Sequence, residues 1–140
     1  MKAAYLNRNT GYDGLTFGEL DRPIPGRGDV LIKVHATAIT PTELKWFPTF
    51  NTPTGEPRPV PIVLSHEFSG EVAEIGGSDC GFKVGDPVYG MNDWFANGAL
   101  AEFCVAPAEG VAFKPRSLND AEAAAVPDGS ASHVTTRTPY

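Results

Sequence analysis

The sequence predicts a mainly β fold, a barrel or sandwich of short strands with a few short helices. Fifteen glycines and thirteen prolines make up a fifth of the 140 residues, against roughly 12% in an average protein. They are spread along the whole chain, which points to frequent turns. Between them, several short stretches alternate apolar with polar or small residues, the period of a half-buried strand. One late segment alone, near residue 120, has the alanines and acids of a helix.

Taken in order, Ala3-Ala4-Tyr5-Leu6 opens as a short apolar strand, and Asn9 to Gly14 reads as a turn. Leu15 to Leu20 alternates as a second strand. Pro23, Pro25, Gly26 and Gly28 then break the chain before Val30 to Ala36, the strongest strand signal. Thr40-Pro41-Thr42-Glu43 predicts a short helix capped by Thr40, with Pro41 in its first turn. Five prolines between residues 48 and 61 predict an irregular, exposed loop. Phe68 to Ile75 alternates again and ends at Gly76-Gly77. Val84 to Gly90 is a turn running into a strand, and Ala99 to Val105 is a further strand. Ser117 to Ala125 predicts a capped, alanine-rich helix with acids in its first turns. Residues 128–140 have almost no apolar periodicity and are expected to be disordered or loosely attached.

Composition excludes several function classes. Eleven Lys and Arg against seventeen Asp and Glu give a net charge of −6, and the basic residues are scattered, so nucleic-acid binding is not expected. No apolar run reaches the roughly 18 residues of a membrane span. Cys80 and Cys104 are the only cysteines, too few for a disulfide-stapled secreted fold. The N-terminus turns polar at Asn7, so its apolar stretch is shorter than a signal peptide requires. A cytoplasmic location is the expectation.

The segment Ser65-His66-Glu67-Phe68-Ser69-Gly70-Glu71-Val72-Ala73-Glu74-Ile75-Gly76 resembles the GHExxGxVxxxG signature of the medium-chain dehydrogenases/reductases. Four more fragments follow that family's order. Pro23 to Val34 resembles its P-P-G-EVLVKV segment, and Phe82 to Val88 its F-K-V-GD-V turn. Gly98 to Phe103 resembles GAYAEY, and Ala121 to Pro127 resembles EAAALP. Five fragments in order across residues 1–127 are a specific resemblance. It implies the GroES-like, partly open β-barrel of that family's catalytic domain, and an NAD(P)H-dependent oxidoreductase, either a reductase of a quinone, enone or other carbonyl or alcohol dehydrogenase-like.

Zinc-dependent members carry a catalytic Cys in a GICGTD segment, and the corresponding residue here is Thr40. Threonine offers no thiolate and is a poor Zn²⁺ ligand, so zinc is not expected. Ala38-Ile39-Thr40-Pro41-Thr42-Glu43 resembles instead the N-P-V-D loop of zinc-free quinone oxidoreductases, which lies against the nicotinamide. Thr40, Glu43, His66 and Glu67 are therefore the candidate catalytic residues, Thr40 as a donor to the substrate carbonyl. His66 also has a plain structural reading, a hydrogen-bonded histidine beside a strand. Glu67 is either a cleft carboxylate or a solvated surface acid, and a structural role is favoured. Trp46 and Phe47 in one loop, and Trp94 and Phe95 in another, are candidates for an apolar substrate pocket.

A dinucleotide site needs a βαβ unit of about 30 residues opening on a glycine-rich turn. No GxGxxG occurs, so tight NADP(H) binding by this chain alone is not expected. The reading frame is expected to be truncated or frame-shifted, leaving a catalytic domain inactive without a Rossmann domain; a homo-oligomer or a separate Rossmann-domain chain is the expected partner. A stand-alone GroES-like binding module with no redox role is the alternative.

Overall fold

The computed structural model describes residues 1–9, 11–77 and 80–127, so the expectation for residues 128–140 lies outside the described residues. Eight strands form two antiparallel sheets. The smaller sheet takes β1 (Lys2–Leu6), β2 (Leu15–Glu19) and β4 (Ile62–Val63), in the order β2-β1-β4. The larger takes β3 (Asp29–Thr37), β5 (Glu67–Ile75), β6 (Pro87–Met91), β7 (Phe103–Pro107) and β8 (Val111–Phe113), in the order β7-β3-β5-β6-β8. A single bridge, Ala3 to Ala101, and the bonds Ala4 N to Leu100 O (2.9 Å) and Glu102 N to Lys2 O (3.0 Å) join the two sheets. This is the partly open, mainly β arrangement that the sequence predicts.

β3 lies between β7 and β5 in the larger sheet. Val30, Leu31 and Ile32 are all fully buried in succession, which strict alternation cannot produce. Register shifts between Leu31 and Ile32, and again between Val34 and Ala36, explain this, because a bulge re-aims the side chains that follow it. Gly70 faces this irregular stretch from β5, and any Cβ there would collide with the Lys33 carbonyl oxygen. Val30, Ile32, Phe68, Val72, Val88, Cys104, Ala106 and Val111 make the main core. Leu6, Ile62 and Leu64 make a second cluster, joined by Leu44 and Phe50. Burial pushes the Cys104 thiol far above its ordinary pKa, so it stays a neutral core side chain.

Three local expectations are corrected. The strand predicted over residues 99–105 begins only at Phe103, because Gly98, Ala99 and Leu100 give their backbone N–H groups to Val63, Ser65 and Leu64 instead. Thr40 does not cap a helix. The turn is a 3-10 segment over Glu43–Lys45 with Thr42 at the cap position and no side-chain cap bond, followed by a one-turn helix α1 (Phe47–Phe50). The proline-rich stretch is partly buried: Thr49 lies inside, and the Arg58 guanidinium donates to the carbonyls of Pro48 (3.0 Å) and Ala96 (2.9 Å).

Helix α2 (Asp120–Ala124) forms where expected, with Asn119 and Glu122 making a reciprocal capping box. It is clasped to the large sheet through Asp120. Ser69 Oγ donates to Oδ1 at 2.7 Å, Lys114 Nζ lies 2.9 Å from the same oxygen, and His35 Nδ1 lies 3.3 Å from Oδ2. Among the described residues, no helix is long and apolar enough to cross a membrane.

Candidate functional site

Glu43 and His66 are 23 residues apart in sequence, and the fold brings them into direct contact. The chain leaves β3, turns through the bond Glu43 N to Thr40 O (3.0 Å), and points the Glu43 side chain inward. Thr49 Oγ1 donates to the Glu43 carbonyl at 2.5 Å and holds that turn. From the opposite side, the entry to β5 presents Ser65 and His66. The Ser65 N–H donates to both Glu43 carboxylate oxygens, at 2.9 and 3.1 Å. His66 Nε2 lies 3.3 Å from Glu43 Oε1, and both side chains are more than nine-tenths buried.

The other ring nitrogen is engaged too. His66 Nδ1 lies 2.7 Å from Asn92 Oδ1, and Asn92 Nδ2 donates to the Asn97 carbonyl at 2.7 Å. A backbone bond, Asn92 N to His66 O at 2.9 Å, keeps the two segments in register. Trp94 covers the imidazole, with ring centroids 5.1 Å apart, and Trp46 meets Trp94 edge-on at the same separation and 83°. Arg58 stands behind the pair. Burial lowers its pKa, while the charges of Asp93 and Glu43 oppose that shift.

The residues singled out from sequence therefore divide. Glu43, His66, Trp46 and Trp94 come together in one buried cluster. Thr40 is half-buried at the start of the same loop. Glu67 is buried, so the solvated-acid reading is excluded, and its carbonyl accepts from Thr37 Oγ1 at 2.6 Å. Phe47 is exposed. Phe95 lines a groove of about 920 Å³ whose lining includes none of Glu43, His66, Trp46 and Trp94. Asn92 was not singled out from sequence. Its signal, an asparagine closing the strand that pairs with the His-Glu segment, becomes visible only with the β5–β6 register that sets Glu67 opposite Met91.

Ser65 carries the one unusual backbone. It is the only described non-glycine residue with positive φ, at 67°, and it stands where the GHE signature has glycine. Its Oγ is buried without a hydrogen-bond partner among the described residues. Gly98 packs against it so closely that any Cβ would strike the Leu64 and Ser65 carbonyl oxygens.

The described site lacks the donor set of a zinc centre. Among the described residues, no three His, Cys, Asp or Glu side chains are grouped to hold a metal ion. Both His66 nitrogens are committed within the protein, and Cys104 lies in the core. The set does not fit a tetrahedral zinc site. Nor does a dinucleotide fit: the longest described helix has five residues, and no described strand runs through a glycine-rich turn into a helix that could hold a pyrophosphate.

Known proteins share this sequence pattern and fold. The pattern of the family described as alcohol dehydrogenase GroES-like domain matches residues 26–116. A chloroplast envelope quinone oxidoreductase homolog of Arabidopsis thaliana is 32% identical over 123 residues, covering 88% of this chain and 37% of that protein. The solved quinone oxidoreductase of Coxiella burnetii superposes with a TM-score of 0.79 at 26% identity, over 91% of this chain and 41% of that one. A mycobacterial protein solved in complex with NADPH superposes at 0.72 and 31% identity, over 89% and 35%. This chain thus spans well under half the length of the relatives it matches. On sequence pattern and fold together, the chain belongs to the alcohol dehydrogenase GroES-like domain family, within the medium-chain dehydrogenases/reductases.

Proposed function

We propose that this chain supplies the catalytic, substrate-holding domain of a zinc-free, NAD(P)H-dependent reductase of quinones, enones or related carbonyls. The observation that carries this reading is the loop over residues 40–46. It has threonine where zinc-dependent members have their cysteine, and its glutamate is spent on His66, so a polar, metal-free surface replaces a metal site. The relatives named as quinone oxidoreductases support the same reaction class.

In this reading Thr40 donates its hydroxyl to the acceptor oxygen of the substrate, which favours negative charge developing there. Glu43 and His66 touch no substrate. They fix the loop that carries Thr40, and the half-buried Trp46–Trp94 pair shields it from water. A dinucleotide, when bound, would supply the hydride and would have to be held by residues other than those described, so this chain alone is expected to bind NADPH weakly and to turn over quinone near background.

The test is a chimera joining residues 1–127 to the cofactor-binding half of a similar quinone oxidoreductase. NADPH-dependent quinone reduction is expected, and Thr40→Val should lower kcat by about 10²-fold, the scale of losing one donor to a developing oxyanion. A chimera that binds NADPH yet reduces no quinone or enone above the cofactor-binding half alone would support a binding module without redox activity.

A further inference from the structure

The hydrogen bonds around His66 permit a proton count. Asn92 Nδ2 is used on the Asn97 carbonyl, so the atom turned to His66 is Oδ1, an acceptor only. At 2.7 Å, His66 Nδ1 must therefore carry a hydrogen. Turning the amide over would set Oδ1 against the Asn97 carbonyl oxygen, two acceptors with no hydrogen between them. On the other side of the ring, Nε2 faces Glu43 Oε1 at 3.3 Å. A neutral ring with its hydrogen on Nδ1 would present a lone pair there to an acceptor carboxylate, in a place that water does not reach. That arrangement is repulsive and buried, the costly combination.

We infer that His66 and Glu43 hold one proton between Nε2 and Oε1, and that Asn92 is the positioning residue that enforces this by keeping the other ring hydrogen on Nδ1. The proton lies on the imidazole or on the carboxyl, and in either form the pair is closed by a hydrogen bond. The pair staples the residue 40–46 loop to the start of β5, and no ring nitrogen of His66 is left with a lone pair for a metal. Only the hydrogen-bond geometry is used, so the inference stands or falls separately from the oxidoreductase reading.

Nitrogen NMR of the 140-residue chain labelled with ¹⁵N-histidine tests it. The chain has three histidines, so His35→Asn and His133→Asn identify the His66 signals by elimination. At pH 7, Nδ1 should resonate as a protonated nitrogen, and Nε2 as protonated or strongly hydrogen-bonded. A bare Nδ1, or a free Nε2, would overturn the inference. Asn92→Leu should move the ring hydrogen to Nε2, where the Glu43 carboxylate can accept it, and leave Nδ1 bare. An Nδ1 that stays protonated in that variant would refute the role of Asn92. Should Asn92→Leu fail to fold, Asn92→Asp takes its place. Its carboxylate can only accept, so Nδ1 should remain protonated, and a bare Nδ1 there would refute the proposal equally.

Discussion

Replacing Glu43 by alanine should cost this domain about 3–5 kcal/mol, the usual loss when one partner of a buried pair is removed and the other stays unpaired. The structure supplies the reason. The carboxylate accepts the Ser65 N–H at 2.9 and 3.1 Å and faces His66 at 3.3 Å, with both side chains out of contact with water. Alanine orphans the Ser65 N–H and the His66 Nε2 together. Glutamine keeps the volume and still has an oxygen for Ser65 N–H and an amide hydrogen for Nε2, so Glu43→Gln should cost only about 1–2 kcal/mol. Trp46 and Trp94 are the only tryptophans and sit beside the pair, so their fluorescence reports unfolding. With a urea slope of about 1.5 kcal/mol/M, the midpoint should fall by roughly 2–3 M for alanine and by roughly 1 M for glutamine. Since domains have only about 5–15 kcal/mol in hand, the alanine variant should lose a large share of its stability. Equal losses in the two variants, or an alanine variant within about 1 kcal/mol of the parent, would refute the assignment of a buried, mutually satisfied pair.

Two further expectations concern neighbouring features. Ser65→Gly should stabilise the domain by about 0.5–2 kcal/mol, because it relieves a left-handed backbone that costs a side-chain-bearing residue about 1–2 kcal/mol and removes an unpartnered buried hydroxyl, offset in part by the entropy of glycine; a lower urea midpoint than the parent would contradict this. Asp120 should make the docking of α2 sensitive to acid. Burial disfavours its charge, yet the Ser69 hydrogen bond, the hydrogen bond and charge of Lys114 and the charge of His35 together hold its pKa below the ordinary carboxylate value. A depressed folded-state pKa stabilises above the unfolded value of about 4 and is lost as pH falls through the folded value. The urea midpoints of the parent and Asp120→Asn should therefore differ at pH 7 and draw together as pH falls below the unfolded value of about 4, and a gap that widens in acid would contradict the clasp.

Much of the sheet was legible because alternation survives wherever one face of a strand is buried. Gly70 to Ala73 on β5, and Pro87 to Met91 on β6, show it directly. β4 and β8 were missed because two or three residues leave no periodicity to read. The strand over Phe103–Pro107 was placed early because Ala99 and Leu100 are apolar. Both are held against the Leu64–Ser65 segment by backbone bonds that no local pattern announces, and Ala99 is buried there. The proline-rich stretch looked exposed on composition, and Arg58 is inside because four oxygens from Pro48, Thr49, Ala96 and Asn97 converge on its guanidinium. The site shows the same boundary. Thr40, Glu43 and His66 could be picked out singly by resemblance, but the inward turn of Glu43 and the acceptor oxygen of Asn92 depend on how the loops after β3 and β6 meet at the start of β5. That is tertiary information.

The most direct measurement for the account as a whole is the zinc content of the chain, expressed in zinc-supplemented medium and passed through gel filtration, by elemental analysis. With both His66 nitrogens committed and threonine at position 40, the account predicts far less than one zinc per chain, and no change in the His66 nitrogen signals when zinc is added. One tightly held zinc per chain, lost together with a shift of those signals on adding a chelator, would show a metal site built on His66 and contradict it.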